Sequence, residues 1–335
     1  MTTFADLTTF RVGGPAARLI HATSESDILA ATVERDLLVI GSGSNLLVSD
    51  DGYAGTVLKI DTRGRKIESD ACSGATVTLA AGEEWDSFVE YAVAHDLAGV
   101  ETLVGIPGLV GAAPIQNIGA YGNEIAKSIA RVRAFDRLTA TITTLAASEC
   151  AFGYRTSRFK AEPERWIILD VTLQLRIGNE SDPIKYQEVS EVLGVKIGDR
   201  APLSEVRDAV LDLRKRKGMV LDSGDRDTWS AGSFFMNPIV DLAAAARLPE
   251  LAPKWQTSTG VKLSAAWLIE QAGFAKGDRL GGAGISGKHS LALINAENGR
   301  ATDLVLLANR IRFTVHEKFA IWLEPEVRLI GLTLE

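Results

Sequence analysis

Several segments of this chain carry residue types that could do chemistry. Gly41-Ser-Gly-Ser-Asn45 sets two glycines and two hydroxyls in one short run. Glycine lets a ligand approach the backbone closely, and consecutive N–H groups with hydroxyls can hold an anion such as phosphate. The dinucleotide fingerprint is not met, because its last glycine would fall on Leu46 and the following residues read as strand. No Gly-Lys-Ser/Thr follows, so this is not a triphosphate loop either. A plain turn between strands is the alternative. The stretch from Gly105 to Gly122 holds five glycines, two prolines and no charge. Such a bare backbone makes a close wall against a flat ring or a pyrophosphate, or else a tightly packed turn region. Two such segments in one chain point to a dinucleotide cofactor.

Three further segments carry reactive side chains. Cys150 to Lys160 mixes aromatic, hydroxyl and basic residues. Its arginines suit carboxylates and phosphates, although a solvated basic loop would look the same. Ser230 to Asn237 sets Ser233 after a glycine and before two phenylalanines. It is not a Gly-x-Ser-x-Gly elbow, and no histidine stands near it in sequence to act as base. A serine nucleophile is therefore unsupported, whereas a serine donating a proton to a carbanion is chemically reasonable. Trp322 to Arg328 sets Glu324 and Glu326 in an otherwise apolar terminus. A carboxyl in a buried strand must be paired or protonated, and a salt bridge to Arg328 would serve.

The elements that must position these residues follow from periodicity. A helix is expected from Ser24 to Arg35, capped by Ser24 with Asp27 three positions on. Strands are expected at Leu37–Ile40, Leu46–Val48 and Thr56–Ile60, so the first glycine loop joins two strands. Ala75–Leu79 reads as a strand, and Trp85, Phe88, Val89, Ala92 and Val93 follow at helical spacing. Strands at Arg131–Phe135 and Trp166–Leu175 precede a helix at Ser204–Lys217 that Gly218 stops. Helices are expected at Ser264–Ala272 and Thr302–Val315, then an extended apolar end from Trp322 to Leu334. Strands and helices mix without strict alternation, which is an α+β pattern.

Composition excludes several classes. The 335 residues are 46% hydrophobic and 24% charged, so the chain is neither disordered, collagen-like nor a coiled coil. That length exceeds what one core usually serves, so two or three subdomains are expected. A net charge of −7 argues against a bulk nucleic-acid binder, yet permits a basic pocket for an anion. Cys72 and Cys150 stand far apart, without a CxxC or a disulfide framework, so a cytoplasmic location is expected. No signal peptide or membrane span is read, and the scattered His21, His95, His289 and His316 offer no metal cluster.

Taken in order, these segments resemble the UDP-N-acetylenolpyruvoylglucosamine reductase (MurB) family. The resemblance rests on Thr9-Phe-Arg-Val-Gly-Gly14, Gly41–Asn45, Ile106–Gly122, Phe152-Gly-Tyr-Arg-Thr-Ser157, Ala231-Gly-Ser-Phe-Phe235 and Leu323-Glu-Pro-Glu-Val-Arg328. It implies two FAD-binding domains of the vanillyl-alcohol oxidase/PCMH type plus a C-terminal α+β substrate-binding domain. On that basis residues 1–63 form FAD-binding domain 1, with a C-terminal strand at 327–335 returning to it. Residues 64–218 form FAD-binding domain 2, and 219–326 the substrate-binding domain.

The implied activity is NADPH-dependent reduction of UDP-N-acetylglucosamine enolpyruvate to UDP-N-acetylmuramate through bound FAD, in bacterial peptidoglycan precursor synthesis. NADPH and the sugar nucleotide would use one site alternately. Hydride would come from flavin N5 and a proton from Ser233, while Arg155 and Glu326 stabilise the enolate. Glu326 must then be protonated, which predicts a pKa raised by burial. The pyrophosphate of FAD is expected at Gly41, Ser42, Gly43, Ser44 and Asn45. The rest of the cofactor would lie against Pro107, Gly108, Gly111, Ala112, Gln116 and Asn117, and against Gly119, Ala120, Tyr121 and Gly122. No histidine stands in either loop, so FAD is expected to be non-covalent. Substrate contacts are expected from Tyr154, Tyr186, Asn237 and His289, with Tyr186 capping the nucleotide. Where familiar members have a phosphate-binding lysine, Met219 stands here; either Arg216 or Lys217 substitutes or the phosphate contact is made differently, and no residue is assigned. A monomer with no metal, nucleic-acid partner or membrane insertion is expected. A flavin oxidase of the same fold, or a binder without turnover, are the alternatives.

Overall fold

A computed structural model describes residues 2–70 and 74–335, so Cys72 lies outside the described residues. Contacts group the chain into two compact units. One comprises Met1–Ala17, Gly43–Ala54 and Lys217–Glu335; the other comprises Arg18–Ser42 and Gly55–Arg216. Residues 1–17 and 43–54 thus group with residues 217–335.

The unit holding Gly55–Arg216 is built on an antiparallel sheet. Its strands run in the order Thr141–Ala146, Ile129–Asp136, Trp166–Ile177, Gly74–Ala80 and Arg65–Asp70. Gly74–Ala80 alternates buried and half-buried residues, as one covered sheet face requires. Val77, Leu79, Val171 and Leu173 enter a core with Trp85, Phe88 and Val89 of the helix Trp85–Ala94. The predicted Ser24 cap forms: its hydroxyl accepts from Asp27 N–H, and the helix runs Glu25–Ala31. In the same unit Leu37–Ile40 pairs parallel with Tyr53–Ile60, in the register Leu37 to Thr56. The strand Ala16–Ala22, which period-two reading did not reveal, flanks Tyr53–Ile60 on its other side. Its burial is confined to its two ends, so the sequence carries little alternation there.

The other unit is helix-centred. Ala301–Phe319 buries Leu304, Leu307, Ala308, Ile311 and Val315 against Leu268, Ile269, Ile285 and Leu293. Asp50 accepts hydrogen bonds from Ala301 N–H (2.9 Å), Thr302 N–H (3.1 Å) and the Thr302 hydroxyl (2.6 Å), so a carboxylate occupies the positive end of that helix. Ser264 caps the helix Ala265–Gln271 by accepting from Trp267 N–H. Near the C-terminal end, Arg328–Ile330 pairs parallel with Leu46–Val48. The chain is thus α+β, as its sequence pattern indicated.

Candidate active site

In the sheet-based unit the Gly105–Gly122 segment docks on the end of the strand Gly74–Ala80. Gly111 N–H donates to Ala81 O (2.8 Å), Val110 N–H donates to Glu83 O (2.9 Å), and Trp85 N–H donates to Gly108 O (3.1 Å). A Cβ on Gly111 would lie 2.6 Å from Ala81 Cβ, so only glycine permits this approach. Asn117 is the anchor of the segment. It is 1% exposed and its backbone is left-handed, at φ +45°. Its Nδ2 donates to Glu124 Oε2 and to Gly153 O (both 3.0 Å), and its Oδ1 accepts from Ala126 N–H (3.0 Å). Both ends of the side chain therefore serve protein contacts.

Arg155 sits at the tip of a two-residue turn. Gly153 N–H donates to Thr156 O (3.0 Å) and Thr156 N–H to Gly153 O (3.2 Å), which closes Tyr154-Arg155 between them. The guanidinium folds back onto the glycine segment. Nη2 donates to Gly119 O (2.8 Å) and Nη1 to Asn117 O (3.4 Å). A Cβ on Gly119 would lie 3.1 Å from Arg155 Nη1, so a bare backbone makes room for this fork. Ser157 donates its hydroxyl to Ile115 O (2.5 Å), tying the turn to the same segment. Tyr154 lies beside the guanidinium, with the Arg155 Cζ 5.8 Å from its ring centre.

Tyr121 and Tyr186 meet edge to face, with ring centres 5.7 Å apart. Both line a pocket with Thr102, Gly122, Lys185 and Asp182. Tyr186 is 48% exposed, while burial pushes the Tyr121 phenol up to about 12. Arg214 lies in the same neighbourhood. It donates from Nη2 to Gly105 O (3.3 Å), and burial, with the like charge of Arg155, brings its guanidinium down to about 10. Nothing in the sequence marked Arg214, which resembles any basic residue in the last turn of a helix.

In the other unit the segments that hold Ser233 and Glu326 lie side by side through backbone pairing. Glu326 N–H donates to Phe234 O (2.8 Å), Met236 N–H donates to Glu324 O (2.9 Å), and Phe235 bridges Pro325. Phe234 and Phe235 are fully buried and stack edge to face, which pins this pairing in the core. Ser233 is next to Phe234, so the hydroxyl and the carboxyl ride on adjoining segments, both half-buried. Thr9 donates its hydroxyl to Ser230 O (2.6 Å), and the Ser230 Oγ accepts from Gly232 N–H (3.1 Å), shaping the turn ahead of Ser233. Asn45 flanks Glu326: its Nδ2 donates to Glu326 O (3.2 Å), and its own carbonyl accepts from Arg328 N–H (3.0 Å). Asn237 Oδ1 accepts from Ala265 N–H (2.9 Å), so this residue also caps a helix. His289 Nδ1 accepts from Leu291 N–H (3.0 Å). Met219 Sδ lies 3.7 Å from where a Cβ of Gly232 would be. Arg155 belongs to one unit, and Ser233 and Glu326 belong to the other.

The donor set fits a flavin dinucleotide. Ser42 is exposed and Ser44 half-buried, so the loop offers hydroxyls and peptide nitrogens to an anion. Gly43 requires its glycine twice, at φ +66° and with Leu7 O 2.0 Å from a Cβ position. Pro107, Gly108, Ala112, Gln116 and Ala120 are half-buried, whereas Gly111 and Asn117 are buried in protein packing. Among the described residues no group of three or more His, Cys, Asp or Glu could hold a metal ion, and no helix is long and apolar enough to cross a membrane.

Known proteins resemble this chain over nearly its whole length. Residues 16–145 match the family model of an FAD binding domain, and residues 224–330 match that of the UDP-N-acetylenolpyruvoylglucosamine reductase C-terminal domain. The UDP-N-acetylenolpyruvoylglucosamine reductase of Cutibacterium acnes is 48% identical over 98% of this chain and 89% of its own length. That of Streptomyces coelicolor is also 48% identical, with the same coverage. The crystal structure of the reductase from Thermus caldophilus superposes with a TM-score of 0.69 at 27% identity, covering 98% of both chains. An FAD-binding domain, a C-terminal reductase domain and relatives 48% identical over nearly the whole chain converge on one assignment: this chain is a flavin-dependent oxidoreductase belonging to the UDP-N-acetylenolpyruvoylglucosamine reductase family.

Proposed function

We propose that this chain reduces the enolpyruvyl ether of UDP-N-acetylglucosamine to UDP-N-acetylmuramate, with NADPH as reductant. The observation that carries the reading is the backbone pairing of the segment that holds Ser233 with the segment that holds Glu326, which lays a hydroxyl-bearing run beside a carboxyl-bearing one, both residues half-buried. Bound FAD would be held by the Gly41–Asn45 loop and the Gly105–Gly122 segment, and supplies the hydride. This chain's residues manage the charge and the proton. Arg155 presents a guanidinium fork, already seated on two carbonyls, to the substrate carboxylate as negative charge develops on it. Glu326, in its protonated form, donates a hydrogen bond to the same developing enolate. Ser233 gives its hydroxyl proton to the carbanion carbon and is reprotonated through water. Tyr186 and Tyr121, with Lys185, offer an aromatic and basic wall to the nucleotide, and Asn237 and His289 face its diphosphate.

The test is anaerobic. NADPH should bleach the flavin absorbance of the holoenzyme, and the enolpyruvyl sugar nucleotide should restore it. Bleaching without recovery would discard the substrate. Ser233→Ala should bleach normally yet turn over slower by about two to four orders of magnitude, the usual worth of a general acid. Near wild-type turnover in that variant would remove Ser233 as proton donor.

A further inference from the structure

The backbone of Arg155 is in the left-handed region, at φ +52°, on the second residue of its two-residue turn. Such a position ordinarily takes glycine or asparagine, because a Cβ there crowds the neighbouring carbonyl. A long cationic side chain at this place is strained, and the strain persists only where surrounding contacts hold it. One contact addresses that carbonyl directly: Lys160 Nζ donates to Arg155 O at 3.0 Å. Lys160 itself stands in the short helix Arg158–Ala161, whose N-cap Ser157 accepts from Lys160 N–H (3.3 Å) and donates to Ile115 O. Lys160 is half-buried, so its charge-assisted hydrogen bond is only partly screened by water.

We propose that Lys160 is a positioning residue for Arg155: it clamps the Arg155 carbonyl, holds the turn left-handed, and thereby aims the guanidinium. Without the clamp the peptide after Arg155 can rotate toward a right-handed conformation. The side chain then leaves the Gly119 and Asn117 carbonyls that now seat it. The proposal rests on reading Arg155 as the group that meets the substrate carboxylate. It separates Lys160 from a mere surface cation, because the effect must pass through residue 155.

The test is a double-mutant cycle on the FAD-loaded enzyme, following flavin reoxidation by the enolpyruvyl sugar nucleotide. Lys160→Met should slow reoxidation at saturating sugar by about tenfold or more, change the sugar's apparent Kd by less than about threefold, and leave reduction by NADPH nearly as fast. Lys160→Arg, which can still donate, should recover most of the rate. In an Arg155→Met background the Lys160→Met change should add nothing. A full additional loss there, or an unchanged rate in the single Lys160→Met variant, overturns the clamp. An unchanged rate in Arg155→Met alone refutes the role of Arg155 itself, and the clamp falls with it. Stability gives a readout independent of turnover. Lys160→Met should lower the thermal midpoint more when residue 155 is arginine than when it is glycine, which needs no clamp at positive φ. Equal losses in the two backgrounds also overturn the proposal. If Lys160→Met fails to retain flavin, the hydrated Lys160→Gln takes its place with the same deciding outcomes.

Discussion

Asn117→Ala should be among the most damaging single changes outside the reacting groups. The side chain makes three hydrogen bonds at 3.0 Å and is 1% exposed. Alanine removes one partner from each of Glu124 Oε2, Gly153 O and Ala126 N–H, although Gly153 O keeps Thr156 N–H. The bond to the Glu124 carboxylate is worth about 1.5–3 kcal/mol and the two others about 0.5–1.5 kcal/mol each. The left-handed backbone adds roughly 1 kcal/mol, because asparagine tolerates that region better than alanine. Shared partners make these contributions less than additive, so about 3–5 kcal/mol is expected. That is a large share of a typical total of about 5–15 kcal/mol. Urea unfolding of the holoprotein, followed by tryptophan fluorescence, measures it.

Asn117→Asp supplies the control. It keeps the acceptor for Ala126 N–H but sets a carboxylate against Glu124. Two adjoining carboxylates raise one pKa in the folded state above its unfolded value, so the folded state binds more protons. The deficit of this variant must therefore shrink as pH falls through the raised folded value toward the ordinary carboxylate range. A loss under about 1 kcal/mol for Asn117→Ala, or a pH-independent deficit for Asn117→Asp, would refute the keystone reading.

Other outcomes are equally specific. Arg165 holds the Asp136 carboxyl down at about 2, through hydrogen bonds of 2.9 and 2.7 Å. That stabilisation is whole above about pH 4 and fades as pH falls toward 2, so Asp136→Asn should cost roughly 1–2 kcal/mol at pH 7 and almost nothing near pH 2, read from acid-unfolding curves. Gly111→Ala forces a Cβ to within 2.6 Å of Ala81 Cβ. It should cost about 1–3 kcal/mol and weaken flavin retention on a desalting column, and an unchanged thermal midpoint would contradict it. Glu326→Gln should retain more kcat than Glu326→Asp, since the amide still donates at similar reach. The reverse order would exclude a protonated glutamate.

Much of this protein is legible in one dimension. The cap at Ser24, the stripe from Leu304 to Val315 and the stop at Gly218 are local events, decided by side chains within a few positions of one another. The glycine segments were legible for the same reason: bare backbone is visible as composition, and Gly111 against Ala81 shows one use of it. Local reading marked the segments that hold Arg155, Ser233 and Glu326, and only the resemblance to the family singled out those residues within them.

Tertiary structure alone decided three things. The pairing of Ser233's segment with that of Glu326 joins residues far apart in sequence, and no periodicity encodes a partner at that distance. Asn117 read as one more residue of a cofactor wall, yet its buried amide serves Glu124, Gly153 and Ala126, a set that exists only once the segment has folded back. Lys160 and Arg214 read as ordinary basic residues, because the features that distinguish them, a carbonyl held at positive φ and a guanidinium taken out of water, belong to the fold. Sequence determines which chemistry a residue can do, since that resides in its own atoms. Which residue is strained, desolvated or clamped is a property of its neighbours, and only packing supplies those.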